Sequence, residues 1–113
     1  MHRYGAHIVG DKLMQNFENL AEHALEAVAL LKVLANENRL MICCSLDAAE
    51  LSVTELNERV PLSQSALSQH LAKLREAGVL TTRRASQTIY YRIADKSAIK
   101  VIETLKSIYC PEL

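Results

Sequence analysis

The sequence predicts one mainly α-helical domain of about five helices, with a β-hairpin before the last helix. Its 113 residues suit one core, because two cores of that total length would each be too small to be stable. Half of the residues are hydrophobic, so this core can be sizeable. Apolar residues recur at helical spacing up to Gly78 and alternate after it, which places the hairpin in the second half of the chain.

A long amphipathic helix is predicted over about residues 12–34, where apolar side chains recur every three or four positions. They are Leu13, Phe17, Leu20, Ala24, Val28, Leu31 and Leu34. This stripe is longer than one small core needs, so it can pack against a second copy of the chain. The polar residues 36–38 end this helix and begin another over residues 37–46. Residues 1–11 are expected to be a flexible N-terminal segment, and residues 12–113 to form the domain.

A helix-turn-helix pattern follows, in which two short helices are joined by a tight turn. Ser52 begins a capping box that predicts the first helix over residues 53–59. Ser63 caps the second helix, predicted over residues 64–77, and Gly78 can adopt the left-handed conformation that ends a helix.

The hairpin is predicted from residues 79–84 and 88–93, which are rich in β-branched and aromatic side chains. The polar residues 85–87 between them are typical of a hairpin tip. Asp95 begins a last helix, which the Cys-Pro pair at residues 110–111 ends.

Basic and acidic side chains are equal in number, 13 of each, but they are unevenly distributed. Residues 1–62 hold five basic and nine acidic side chains, whereas residues 63–113 hold eight basic and four acidic ones. The basic excess is concentrated in residues 63–92, which suits a polyanion such as DNA. The chain has no Trp, one Phe and four Tyr, so an aromatic surface that stacks single-stranded bases is excluded.

Candidate contacts with double-stranded DNA lie on the second helix of the pair and at the hairpin tip. The stripe of Leu67, Leu71 and Leu74 must face the core, so the opposite side presents polar side chains to base edges and phosphates. Cations at a hairpin tip can contact the DNA backbone or the minor groove. The candidates are Ser63, Gln64, Ser65, Ser68, Gln69, His70, Lys73, Arg83, Arg84, Gln87 and Thr88. The alternatives are a solvated helix face and a charged tip that prevents strand aggregation.

Residues 34–93 resemble the winged helix-turn-helix repressors of the ArsR/SmtB family. The likeness rests on ANENRL at 35–40, ELSVTEL at 50–56, LSQSALSQHLAKLREAGVL at 62–80 and QTIYYRI at 87–93. The resemblance implies a hairpin wing and a homodimer joined through the first and last helices. It also implies that the helix at 64–77 reads operator DNA in the major groove, and that a chemical signal releases the protein from DNA.

The three cysteines are the candidate sensors of that signal. Residues 50–56 hold no cysteine and the last helix holds no histidine, so two metal-binding patterns of the family are missing and no metal site is expected. The sequence is similar to the branch of the BigR, SqrR and HlyU repressors, which respond to persulfides or oxidants through two cysteines. That resemblance implies redox sensing by Cys44 and Cys110. Cys43 is expected to fill the core as a small hydrophobic residue.

Other functions stay open at this point. A metal-sensing repressor of the same fold differs only in its ligand, and a winged-helix protein-interaction module would bind no promoter DNA. A thiol redox enzyme is disfavoured because the sequence has no Cys-x-x-Cys motif, so neither enzymatic activity nor a cofactor is expected. The inducer is expected to be a persulfide or another thiol-reactive compound. No long apolar stretch follows the basic N-terminal residues, so we expect a cytoplasmic protein without a membrane partner.

Overall fold

The computed structural model describes residues 7–111, with side-chain environments from residue 12 onward. Over these residues it has six helices and a three-stranded antiparallel sheet. In chain order they are α1 His7–Glu22, α2 Ala24–Leu34, α3 Glu37–Ser45, β1 Leu51–Ser52, α4 Val53–Arg59, α5 Gln64–Glu76, β2 Leu80–Ala85, β3 Thr88–Ile93 and α6 Lys96–Tyr109. The winged helix-turn-helix architecture is confirmed, with one helix and one strand more than the sequence predicted.

The prediction of a single helix over residues 12–34 is wrong, because the chain turns at His23 between α1 and α2. The His23 N–H donates to the Leu20 carbonyl at 3.1 Å. This hydrogen bond spans three residues instead of four, so it interrupts the α-helical pattern. The apolar periodicity continues across this turn, so it does not reveal the break. α1 begins at His7, so it overlaps the predicted flexible segment 1–11, of which residues 1–6 lie outside the described part of the chain.

The chain divides into two compact units, Met1–Leu31 and Lys32–Leu113. In the first unit, large apolar side chains are exposed by 42% to 87%. They are Leu13, Met14, Phe17, Leu20, Leu25, Val28 and Leu31. An apolar surface of this kind is unfavourable in water and typical of an interaction site.

The core of the second unit lies between α3, α4, α5, α6 and the hairpin. Its most deeply buried side chains are Ile42, Cys43, Leu46, Leu56, Leu67, Leu71, Leu74, Val79 and Ile102. The predicted leucine stripe of α5 is therefore confirmed, since all three leucines are at most 2% exposed. Burial of such side chains supplies the hydrophobic stabilisation of the unit, and it fixes which side of α5 faces solvent.

The ends of α4 and α5 are specified by local hydrogen bonds. The predicted capping box is present: the Ser52 hydroxyl accepts the Glu55 N–H, and the Glu55 carboxylate accepts the Ser52 N–H. At the end of α5, Gly78 has φ +78°, and its N–H bonds to the Arg75 carbonyl at 2.9 Å. The next N–H, of Val79, bonds to the Leu74 carbonyl at 2.9 Å, which completes a Schellman motif and directs the chain into β2.

The sheet has the order β1-β3-β2, so β3 lies between the other strands. β2 and β3 form the predicted hairpin, with Arg83 opposite Tyr90 and Ala85 opposite Thr88. β1 pairs Leu51 and Ser52 with Tyr91 and Tyr90 in the middle of β3. A strand of two residues is too short to show an alternating pattern, and the sequence did not predict it. Within the described residues, no helix combines the length and apolar character needed to span a membrane.

Candidate DNA-binding surface and cysteine site

The turn between α4 and α5 is held by the side chain of Asn57. Its Nδ2 donates to the carbonyls of Val60 and Leu62 at 3.3 and 3.0 Å. These bonds satisfy polar groups of the turn and fix the start of α5 relative to α4. Sequence reasoning missed Asn57, although an amide side chain shortly before Pro61 is a usable signal for such a turn.

The side of α5 opposite the leucine stripe is exposed and carries small, amide and basic side chains. The candidates on that side are Ser65, Ser68, Gln69 and Lys73, which form a polar strip along one helix, the form that a major groove admits. Ser63 and Gln64 are also exposed but lie at the start of α5, where Gln64 lines a cleft with Leu67 and residues of α4. The Ser63 hydroxyl also has a structural role, because it accepts the Ala66 N–H at 3.2 Å as the N-cap of α5.

His70 lies at the edge of this strip and is half-buried. Its Nδ1 is buried and has no hydrogen-bond partner within the described part of the chain. A phosphate contact by His70, which stays a prediction, would therefore use Nε2.

The hairpin, or wing, exposes Arg84, Gln87 and Thr88 close to the turn between β2 and β3. Ser86 adopts φ +59° in this turn, as tight antiparallel hairpins require. Arg84 and the two polar residues are therefore together at the tip, where a DNA backbone or minor groove can be reached.

Arg83 differs from Arg84 because it has partners within the protein. Its Nε and Nη2 donate to the same carboxylate oxygen of Glu50, Oε1, at 2.9 and 2.7 Å. Its Cζ lies 4.8 Å from the ring centroid of Tyr90, a cation–π distance. The hydrogen bond from Arg83 lowers the pKa of Glu50, and the same bond raises the pKa of Arg83. Sequence reasoning treated Arg83 as a free cation and missed Glu50, which lies far from it along the chain.

The three cysteines are free thiols in different environments. Cys43 is fully buried in α3, and burial raises the pKa of its thiol to about 12. Its expected role as core filler agrees with this position. Cys44 is half-buried on α3, whereas Cys110 is exposed at the C-cap of α6.

An ion pair joins the chain segments that carry Cys44 and Cys110. The Lys106 ammonium on α6 lies 3.2 Å from Oδ2 of Asp47, which follows α3. A cleft of about 380 Å³ opens beside this pair, and it is lined by Asp47, Glu103, Lys106, Ser107, Cys110 and Pro111. Sequence reasoning missed this pair, since no local pattern links residues that are distant along the chain.

The same charged groups act on the Cys44 thiol. Burial is the largest effect and raises the pKa of Cys44, while the positive charge of Lys106 lowers it. The negative charge of Asp47 and the thiol of Cys110 both raise the pKa of Cys44. The two thiols therefore belong to one electrostatic environment. Among the residues that the structure describes, no cluster of three or more His, Cys, Asp or Glu could hold a metal ion.

Comparison with known proteins identifies a family with this sequence pattern and fold. Residues 36–82 match the family model described as bacterial regulatory protein, arsR family. The chain is 47% identical over 95 residues to the transcriptional activator HlyU of Vibrio cholerae, which covers 84% of this chain and 88% of the relative. It is 44% identical over 91 residues to the biofilm growth-associated repressor of Agrobacterium fabrum, with 80% and 78% covered.

Solved structures of such relatives share the fold. Reduced HlyU from Vibrio cholerae superposes with a TM-score of 0.78 at 47% identity, over 82% of this chain and 98% of that one. A homodimeric winged helix-turn-helix DNA-binding domain from Mycobacterium bovis, described as a possible ArsR-family transcriptional regulator, gives 0.69 at 25% identity, over 79% and 82%. The chain therefore belongs to the arsR family of bacterial regulatory proteins, and it is a DNA-binding transcriptional regulator with a winged helix-turn-helix fold.

Proposed function

We propose that the protein is a homodimeric repressor that leaves its operator when a persulfide or another thiol-reactive inducer links Cys44 to Cys110. The observation that carries the proposal is the joining of their chain segments by the Asp47–Lys106 ion pair, at a cleft onto which Cys110 opens. An accessible thiol and a second, half-buried thiol in one environment are suited to capture and then resolution of a reactive sulfur.

The exposed apolar surfaces support dimerisation through the first and last helices. Large apolar side chains of α1 and α2 are exposed, and near the end of α6 Ile108 and Tyr109 are 59% and 78% exposed. A second copy of the chain would cover such surfaces and bring two copies of α5 together. The Mycobacterium bovis relative is described as homodimeric.

Operator binding would use α5 in the major groove and the wing beside it. Ser65, Ser68 and Gln69 would approach base edges, while Lys73 and Arg84 would contact phosphates or the minor groove. The remaining contacts assigned to DNA are Ser63, Gln64, His70, Arg83, Gln87 and Thr88. In the dimer, the two α5 helices would enter half-sites about 34 Å apart, one turn of DNA.

The sensing reaction proceeds in two steps that conserve atoms and charge. The Cys110 thiolate attacks the terminal sulfur of a hydropersulfide, RSSH, which gives the Cys110 persulfide and the thiolate RS⁻. The Cys44 thiolate then attacks Sγ of Cys110 and displaces HS⁻, leaving a Cys44–Cys110 disulfide. With a peroxide, Cys110 becomes a sulfenic acid and hydroxide leaves instead. The exposed Cys110 reacts first because Cys44 is half-buried.

Bridge formation would alter DNA binding through α3, which packs against both α6 and α5. A new covalent restraint between α3 and α6 would favour a different packing of these helices and a different separation of the two α5 helices in the dimer. Coupling of about 1–3 kcal/mol between the modified site and DNA corresponds to roughly a 5- to 150-fold loss of affinity.

Operator binding before and after treatment with glutathione persulfide tests this function. The reduced protein is expected to bind its operator, and treatment should weaken binding within that 5- to 150-fold range. Cys44→Ser and Cys110→Ser should bind the operator normally and should not be released. Cys43→Ala is the matched control, which should still be released. Normal release from either Cys44→Ser or Cys110→Ser would refute the assignment of the pair.

A further inference from the structure

We propose that Lys106 and Asp47 are positioning residues for the sensing reaction: the Lys106 ammonium stabilises the Cys44 thiolate, and the Asp47 carboxylate opposes it. This inference rests on the proposed function, because it concerns the thiol that closes the bridge. It assigns to the ion pair a chemical role in addition to joining α3 and α6.

The backbone places each charge about one turn from one of the two thiols. Asp47 follows Cys44 by three residues, and its N–H lies 3.4 Å from the Cys44 carbonyl oxygen. Lys106 precedes Cys110 by one helical turn, since the Cys110 N–H donates to the Lys106 carbonyl at 2.7 Å. The 3.2 Å contact between Lys106 and Asp47 therefore joins the two thiol-bearing segments.

The burial of this pair makes its charges effective. The side chains of Lys106 and Asp47 are 32% and 14% exposed, so solvent screens them less than it screens a fully exposed pair. Glu103 is the further charged group that lines the cleft from α6, and the thiols of Cys43 and Cys110 are the other titratable groups that act with Cys44. Lys106 lowers the pKa of Cys44 whereas Asp47 raises it, in agreement with opposite actions on one thiol.

This arrangement controls the second step of the reaction. The nucleophile is the Cys44 thiolate, so the closing rate depends on the fraction of Cys44 that is ionised. Burial and Asp47 disfavour the Cys44 thiolate whereas Lys106 favours it, so the balance of these groups sets how readily Cys44 attacks Cys110. As HS⁻ leaves Cys110, one turn away on α6, the same ammonium is near the departing negative charge.

The pH dependence of Cys44 alkylation by iodoacetamide tests the inference directly. Cys43→Ala serves as the background, so that peptide mass spectrometry reports Cys44 on its own peptide. At pH 7.5, Lys106→Met should slow alkylation roughly three- to tenfold and move the profile to higher pH, because the stabilising charge is lost. Asp47→Asn should accelerate it by a similar factor and move the profile to lower pH. Lys106→Arg, which keeps the charge, should restore a profile close to that of the background.

The two neutralising variants separate electrostatics from loosened structure. Each breaks the same ion pair, so a purely structural role predicts changes in the same direction, whereas the proposed role predicts opposite directions. Changes in the same direction, or unchanged profiles, would overturn the inference. Circular dichroism and operator binding of the reduced variants check that they are folded.

Bridge formation with glutathione persulfide is measured in parallel and judges the proposed function separately. If the Cys43→Ala background forms no Cys44–Cys110 bridge, the proposed function fails whatever the alkylation profiles are. If a bridge forms at equal rates in the background, Lys106→Met and Asp47→Asn, the inference fails while the proposed function stands.

Discussion

Ion pairs organise both the wing and the cysteine cleft, but the two pairs differ in burial and in what surrounds them. At the wing, the side chains of Arg83 and Glu50 are 53% and 28% exposed, and Tyr90 provides an aromatic face. At the cleft, those of Lys106 and Asp47 are 32% and 14% exposed, and thiols lie nearby. The wing pair therefore fixes the shape of the hairpin that we propose contacts DNA, whereas the cleft pair is proposed to set the charge around the sensing thiols. In this protein the neighbouring groups, more than the ion pair itself, distinguish one pair from the other.

The largest expected effect concerns the Cys43 thiol, which lies in the core and tests burial alone. Burial raises the pKa of Cys43 from the ordinary 9.0 to about 12, so its thiolate at pH 8 is roughly a thousandfold rarer than that of an ordinary thiol. We expect iodoacetamide to modify Cys43 in the folded protein about a thousandfold more slowly than in the guanidinium-unfolded protein. Quench-flow alkylation with peptide mass spectrometry measures both rates. Similar rates in the two states would mean that Cys43 is not protected by the core.

A smaller effect is expected when the wing is reversed in charge. Arg83→Glu combined with Arg84→Glu removes two cations, and the new carboxylate at position 83 lies beside Glu50. Both new carboxylates repel phosphates, so operator affinity should fall by roughly 10- to 100-fold. The slope of binding against salt concentration should also become shallower by about one or two ions per wing. Fluorescence anisotropy at several salt concentrations measures both quantities.

The matched control for the wing makes the same change in net charge elsewhere. Lys96→Glu combined with Lys100→Glu alters two exposed cations of α6, outside the predicted DNA-binding surface. It should change affinity much less than the wing variant. Equal losses from both variants, with the dimer intact by size-exclusion chromatography, would show that net charge, and no particular contact of the wing, governs binding.

The local parts of this fold were predictable because each has a signal within a few residues. The capping box at Ser52, the N-cap at Ser63, the glycine that ends α5 and the leucine stripe all agree with the structure. The parts that were missed depend on distant partners or on very short elements. The sequence carries no local sign that Glu50 forms an ion pair with Arg83, or Asp47 with Lys106. The two-residue β1 is too short for a periodic pattern.

The smallest expected effect concerns the pH dependence of the wing pair. Pairing lowers the pKa of Glu50 in the folded protein, so the stabilisation is present above the ordinary pKa of 4.5 and is lost as pH falls through the lowered value. NMR signals of the Tyr90 ring should stay constant from pH 8 to about 5 and shift only on further acidification. Glu50→Gln should remove that acid transition. A transition near neutral pH in the wild-type protein would show that another group controls the wing.

The two-residue strand β1 connects the sheet to the helix-turn-helix. Ser52 pairs with Tyr90 of β3 and is also the N-cap of α4, so one residue links the sheet to the helix-turn-helix. The Schellman motif at Gly78 links the other end of α5 directly to β2. The helix-turn-helix and the wing are thus connected to each other at both ends. In the proposed dimer, a change at α3 or α6 would therefore displace the helix-turn-helix and the wing together and alter the spacing of the two copies on the operator.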